Sequence, residues 1–170
     1  MTKKGKSITF HEDDVRSMGR SAGGVRAITL DKDDEVVSME LDSTGERELL
    51  VMTKKGFGKR TSLDEYRLQT RGGKGVSTYD KTKFSKTGEL VGATLVSKDD
   101  EIMLINSNGV IIRIRANEIS KSGRTTQGVK IMKVESGDEI VSFAKVLDED
   151  DASKPMTKKE KTESEQMTLV

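Results

Sequence analysis

Cysteine is absent from all 170 residues and there is a single histidine. Disulfides and thiolate metal sites are thereby excluded, and one imidazole supports neither a zinc cluster nor a convincing Ser/His/Asp set. Tryptophan is missing, aromatic residues make up 4% of the chain and hydrophobic residues 32%. That is too little for a thick two-sided core, so many short, half-exposed strands are expected. No apolar run exceeds a few residues, and Met1-Thr2-Lys3-Lys4-Gly5-Lys6 leads into no hydrophobic stretch. A membrane span and a secretory signal are disfavoured, and the cytoplasm is the expected compartment. One proline stands against 16 glycines, which points to turns with little linker. A Gly-x-x-x-x-Gly-Lys-Ser/Thr phosphate loop is also lacking, so no nucleotide hydrolysis is expected of this chain.

What the chain has in quantity is charge, 35% of its residues, with a net of only +1. The balance is uneven along its length. Asp148 to Val170 holds seven acidic and four basic side chains, net −3, leaving about +4 for the rest. Between Lys54 and Lys86 ten basic residues face Asp64, Glu65 and Asp80 alone, so positive charge is concentrated there.

Three copies of one unit make up the body of the chain. Turn glycines stand at Gly5, Gly56 and Gly109; ten residues on are Val15, Tyr66 and Ile119, each preceded by Asp14, Glu65 or Glu118. Fifteen residues after each turn glycine is an arginine, Arg20, Arg71 or Arg124, and nineteen after it a Gly-Val pair, Gly24-Val25, Gly75-Val76 or Gly128-Val129. A period of 51 and then 53 residues is close to a propeller-type blade and too long for leucine-rich or ankyrin units.

Each copy is expected to be a small antiparallel sheet. In the third, Glu101–Ile105 and Val110–Ile114 flank an Asn106-Ser107-Asn108-Gly109 hairpin turn, with Val110, Ile112 and Ile114 alternating with Arg113 to give one buried and one wet face. The second repeats this as Glu48–Met52, a Lys54-Lys55-Gly56 turn and Phe57–Thr61. Further strands are predicted over 25–30, 36–41, 76–79, 90–96, 129–134 and 140–146, about four per unit. The reading is therefore all-β: a propeller-like repeat over 1–147 with four-stranded antiparallel blades at about 1–47, 48–97 and 98–147. Met1 aligns with Met52 and Ile105, so the first copy starts at the end of a strand and is expected to be truncated and least ordered. Residues 148–170, opening on Asp148-Glu149-Asp150-Asp151, are too polar to order themselves and are expected to be disordered.

The most informative stretch is Gln69-Thr70-Arg71-Gly72-Gly73-Lys74-Gly75. Two cations around a glycine pair let backbone and side chains approach a phosphate closely; the plain alternative is a basic turn. The recurrence of Arg20, Arg71 and Arg124 at one offset places them in a row on one rim, which suits a charged polymer better than a small ligand needing convergent donors. Against this stands the possibility that each arginine pairs with Asp14, Glu65 or Glu118 of its own blade. Arg16, Arg26, Arg67, Lys74, Lys121 and Lys130 surround the row.

Gly58-Lys59-Arg60-Thr61, Gln69 to Val76 and Gly123-Arg124-Thr125-Thr126-Gln127-Gly128-Val129 resemble the carboxy-terminal domain of the DNA gyrase A protein, over about Thr2 to Asp150. The resemblance implies a β-pinwheel whose basic rim wraps duplex DNA and contributes to ATP-dependent negative supercoiling. Gln69 to Gly75 matches six of the seven positions of that family's Gln-Arg-Arg-Gly-Gly-Lys-Gly box, with Thr70 in place of an arginine, in a late blade where a degenerate copy is implied. Candidate DNA contacts are Arg20, Lys59, Arg60, Arg67, Gln69, Arg71, Gly72, Gly73, Lys74, Gly75, Lys121 and Arg124. The resemblance further implies that strand cleavage and ATP hydrolysis, with magnesium, belong to the amino-terminal domain and the gyrase B protein of a heterotetramer, so that this chain has no cofactor and is not an enzyme by itself. The corresponding domain of topoisomerase IV is the nearest competing assignment.

Two other readings stay open on the sequence: a propeller docking an acidic protein partner, which the fold alone permits, and an RNA module, which the shortage of aromatic stacking platforms disfavours. Tyr66 and Tyr79 are expected to pack in blades, and His11, ahead of Glu12, Asp13 and Asp14, to be solvated. With about five phosphates neutralised, log K would fall against log salt with a slope of roughly −4 to −5. Asp148 to Asp151 are expected to compete with DNA for the rim.

Overall fold

The computed structural model describes residues 1–42 and 47–146; the predicted tail, 148–170, lies outside them. Glu48-Leu49-Leu50-Val51-Met52-Thr53 forms β2 (Glu48–Thr53), turns at Lys54-Lys55-Gly56 and returns as β3 (Phe57–Ser62), with Leu50 opposite Arg60. Gly56 supplies φ 77°, and the Thr53 hydroxyl closes the turn by accepting from Phe57 N at 3.2 Å. On the other side of β2 lies β5 (Leu90–Val96), antiparallel, with a register shift between Met52 and Thr53. The third copy repeats the hairpin as β6 (Glu101–Asn106) and β7 (Ile111–Arg115), and β9 (Ile140–Lys145) completes the order β7-β6-β9.

The strands following the Gly-Val pairs go elsewhere than expected. The short strand β8 (Val129–Lys130) pairs with β3 of the copy before it, Gly58 opposite Val129 and Phe57 opposite Lys130, so the four-stranded sheet runs β5-β2-β3-β8. In the same way β4 (Val76–Ser77) pairs with β1 (Lys6–Ser7) of the first copy, Ser7 opposite Val76. Each unit thus hands a strand to its predecessor, and a copy on its own is not a complete sheet. The glycine of each pair is what permits the contact. A Cβ on Gly75 would sit 2.3 Å from the Ser7 carbonyl oxygen, and one on Gly128 2.3 Å from that of Gly58, at φ 68° and 73°. No side chain fits there.

Segments 25–30 and 36–41, predicted as strands, form none. The backbone of 27–29 instead bonds to the glycine-rich loop, with Gly72 N donating to Ala27 O at 2.7 Å and Thr29 N to Gly73 O at 2.8 Å. Val36 makes a single bridge to Thr2, leaving Met39 90% exposed. The first copy accordingly forms the least strand of the three.

Burial also departs from the expected half-wet pattern. All six residues of β2 are buried. Leu50 and Met52 join Val96, Ile102, Leu104, Ala116, Ile119, Met132 and Ile140 on one face, while Leu49 and Val51 join Tyr66, Tyr79, Leu90, Ala93 and Leu95 on the other. A strand flanked by sheets on both faces loses the alternation that a two-layer reading assumes. After each hairpin a 3-10 turn, over Glu12–Asp14, Leu63–Glu65 and Ala116–Glu118, sets the next residue. Tyr66 and Ile119 plug the core there, whereas Val15 is 40% exposed.

Candidate nucleic-acid interface

The glycine-rich loop of the second copy is laid across the first. Gln69 N donates to Thr9 O at 2.8 Å, and the Arg71 guanidinium donates through Nη1 to Arg26 O at 2.7 Å and through Nε to Asp14 O at 3.2 Å. The third copy repeats the arrangement on the second: Arg124 Nη1 donates to Ser77 O at 2.6 Å and Arg124 N to Glu65 Oε2 at 2.8 Å. Counted from their turn glycines, Arg26 and Ser77 share offset 21, and Asp14 and Glu65 share offset 9. In the second and third copies the recurring arginine is therefore a clamp onto the preceding copy. It bonds neither to open solvent alone nor to the acidic residue of its own copy. The Arg71 fork reaches two carbonyls while keeping its charge, and that of Arg124 reaches one, its backbone N–H taking the carboxylate.

Two candidates point inward. Lys59 is wholly buried; its Nζ donates to Gly123 O at 2.8 Å and to Arg124 O, lies 3.4 Å from Thr126 Oγ1, and stands over the Tyr79 ring at 5.4 Å. Burial, helped by the nearby Arg124 and opposed by Glu65, lowers its pKa to about 8. Arg60 is also buried, donating to Ile119 O at 2.8 Å and paired with Glu48, whose carboxylate takes Lys121 as well at 2.9 Å. Burial pushes the Glu48 carboxyl upward, but Lys121 and Arg60 outweigh it and hold it below the ordinary carboxylate range. Lys59 and Arg60, expected on a phosphate-contacting rim, are thus structural supports: β3 is buried along its length, and the two side chains, on opposite faces of it, end on Gly123 and Arg124 and on Ile119 and Glu48. Tyr79 donates to Gln127 O of that loop, and burial raises its pKa to about 12. With Tyr66 bonded to Thr78 at 2.5 Å, both tyrosines serve packing.

The exposed cations are others. The side chains of Arg67 and Lys74 are exposed and make no hydrogen bond or ion pair among the described residues, and the same holds for those of Arg16 and Arg20. Arg16 and Arg67 share offset 11, a repeat signal beside the arginine row that sequence reading passed over. Gly72, Gly73 and Gly75 keep the loop backbone low against the first copy. Lys121 is 55% exposed and tied to Glu48. The candidate site is therefore a set of exposed cations on the first two copies, of which Arg16 and Arg67 occupy corresponding positions, with Arg71 holding the loop of the second copy on the first. Among the described residues no helix is long and apolar enough to cross a membrane, and no three His, Asp or Glu side chains gather as for a metal ion.

Comparison with known proteins fits this architecture. The family model described as the DNA gyrase C-terminal domain, a beta-propeller, matches residues 1–41, 47–97 and 100–146. The chain belongs to that family. It is 43% identical over 145 residues to the DNA gyrase A protein of Staphylococcus epidermidis, covering 85% of this chain and 16% of the relative, and 40% identical over 161 residues to that of Mycolicibacterium smegmatis, covering 92% and 18%. The chain therefore spans less than a fifth of these curated relatives. Among solved structures it is similar to a DNA gyrase A C-terminal domain (TM-score 0.79, 31% identity, 86% of this chain and 49% of that one) and to the C-terminal domain of DNA topoisomerase IV (TM-score 0.81, 25% identity, 98% and 50%). The all-β pinwheel expected from the sequence is the fold of this gyrase-family domain.

Proposed function

We propose that this chain binds duplex DNA without reading its sequence and guides it along the corners of successive repeats, as the C-terminal part of a gyrase A protein in ATP-dependent negative supercoiling. The observation that carries the reading is the exposed, unpaired set Arg16, Arg20, Arg67 and Lys74 on adjoining copies. Phosphate contacts of this kind position DNA without specifying bases, and counterion release drives them. Bending a 20–30 bp stretch costs on the order of 1–6 kcal/mol, which several such contacts offset. In this reading the amino-terminal domain of gyrase A and the gyrase B protein supply strand cleavage and ATP hydrolysis with magnesium; this chain adds no catalytic group or cofactor, and the assembly works in the cytoplasm with the nucleoid. The coverage by the topoisomerase IV structure supports the same DNA-binding role in the sister enzyme as the second reading.

With Lys59 and Arg60 buried, the four exposed cations Arg16, Arg20, Arg67 and Lys74 neutralise about four phosphates, a salt slope of roughly −3.6. The test is fluorescence anisotropy with labelled duplexes of unrelated sequence over a salt series. Replacing Arg67 and Lys74 by alanine together is expected to weaken all duplexes equally and bring the slope to roughly −1.8. Salt-independent binding, or a changed sequence preference, overturns the reading.

A further inference from the structure

Two loops of the same pattern end differently on the copies they lie against. In the third copy Arg124 N donates to Glu65 Oε2 at 2.8 Å, so a carboxylate of the second copy occupies the loop's backbone N–H. The same oxygen lies 3.8 Å from where a Cβ on Gly123 would stand, close against the loop. In the second copy the corresponding Arg71 N donates no hydrogen bond among the described residues, although its side chain holds the first copy as that of Arg124 holds the second. Asp14, at the offset of Glu65, contributes its backbone oxygen, and its carboxylate accepts nothing among the described residues. The shorter acid stands where the N–H is open, the longer one where it is closed.

The surrounding charge follows the same division. Offsets 11 and 18 are the exposed Arg67 and Lys74 in the second copy, but Ser120 and Gln127 in the third. Cations around the third loop are taken up within the fold: Lys121 by Glu48 at 2.9 Å, Arg124 by Ser77 O at 2.6 Å, and Lys130 over the Phe57 ring at 5.3 Å. Beneath that loop the buried Lys59 ammonium donates to Gly123 O and Arg124 O, and Glu65 is the acid whose charge counters its burial. An anionic oxygen on a backbone N–H beside a buried cation is the arrangement a bound phosphate would make.

We infer that Glu65 is an internal stand-in for a DNA phosphate: it fills the anion position of the third copy's loop and keeps DNA out of it, so that of the two loops the second copy's, with Arg71 N open, takes the phosphate. On the duplex-binding reading above, on which this rests, Glu65 decides which loop grips. One N–H does not serve two anions, and like charges so close repel. DNA therefore passes the third loop without a contact there while Glu65 stays ionised.

The test is the salt dependence of duplex binding by the full chain, followed by fluorescence anisotropy. Glu65→Ala frees Arg124 N; it is expected to bind more tightly than the parent and to steepen the slope by about one phosphate, from roughly −3.6 to roughly −4.5. Asp64→Ala removes the same charge one residue away, where the carboxylate accepts from Ser62 Oγ at 3.1 Å, and is expected to keep the parent slope. The reciprocal variant Asp14→Glu brings the longer acid to the second loop and is expected to weaken binding and flatten the slope to roughly −2.7. Inorganic phosphate titrated against the amide NMR signals gives a second readout: it should shift Arg71 N–H in the parent, and Arg124 N–H only in Glu65→Ala. Should Glu65→Ala not fold, the Asp14→Glu slope and the titration of the parent decide alone.

A Glu65 that only holds the two copies together gives weaker or unchanged binding and an unchanged slope on Glu65→Ala, which overturns the inference. So do equal slopes for Glu65→Ala and Asp64→Ala, a parent slope retained by Asp14→Glu, or a parent Arg124 amide that answers phosphate as Arg71 does. Each of these leaves salt-dependent duplex binding by the parent standing. Parent binding that ignores salt instead overturns the duplex-binding reading itself.

Discussion

Replacing Lys59 with methionine removes an ammonium but keeps the length and volume of the stem, so its effect isolates the buried charge. Two terms of opposite sign meet at this site. Methionine leaves the carbonyls of Gly123 and Arg124 without the donor that now serves them, at about 1–3 kcal/mol each. It also relieves the cost of holding a buried cation. With the pKa lowered from 10.5 to about 8, that relief is about 3 kcal/mol at roughly 1.4 kcal/mol per tenfold. At pH 7 the terms nearly cancel, and the variant is expected within about 3 kcal/mol of the parent. The pH dependence decides the matter. Below pH 8 the lysine is charged whether folded or unfolded, and the penalty is fully present. Between about 8 and 10.5 the folded chain has shed the proton that the unfolded chain still binds, so the parent's stability rises with pH. Methionine cannot titrate. Urea denaturation of both proteins from pH 7 to above 10, compared at unchanged m, should show the parent gaining about 3 kcal/mol on the variant. A difference that stays flat, or narrows as the pH rises, would refute the buried-cation account of Lys59.

Two further outcomes follow from the inter-copy contacts. Gly75→Ala, which drives a Cβ to 2.3 Å from Ser7 O, should lower the melting temperature well beyond the effect of Gly24→Ala; the latter carries only the positive φ of a residue with open space around it, about 1 kcal/mol. Comparable losses for the two would mean that strand donation to the first copy contributes little. Arg60→Met leaves the buried Glu48 carboxylate with Lys121 alone and the Ile119 carbonyl without its donor, and is expected to cost about 1–3 kcal/mol. Its repeat counterpart Arg113→Met breaks a pair with Glu101 whose arginine is 54% exposed and should cost under about 1 kcal/mol. Because Glu48 has its pKa depressed in the folded chain, the stability it contributes is present above its ordinary 4.5 and lost as the pH falls. Removing Arg60 should therefore move the acid-unfolding midpoint to higher pH, which circular dichroism reads directly.

Much of this protein was determined by the sequence alone, because its signals repeat. A turn glycine, a plug residue, an arginine and a Gly-Val pair at constant offsets give the period, the hairpins β2-β3 and β6-β7, and the basic loops without any knowledge of packing. Tertiary structure decided which copy each element serves. Offsets say where Arg71 and Val76 stand in their own unit, but hydrogen-bonding partners are chosen across units, and a strand with unsatisfied N–H groups takes the nearest open edge, here that of the preceding copy. The same reason explains Lys59 and Arg60. Their charge made them look like surface contacts, while a strand between two sheets has no wet face to put them on. Only the fold could show that they hold the next copy's loop and that Arg16, Arg67 and Lys74 are left facing solvent.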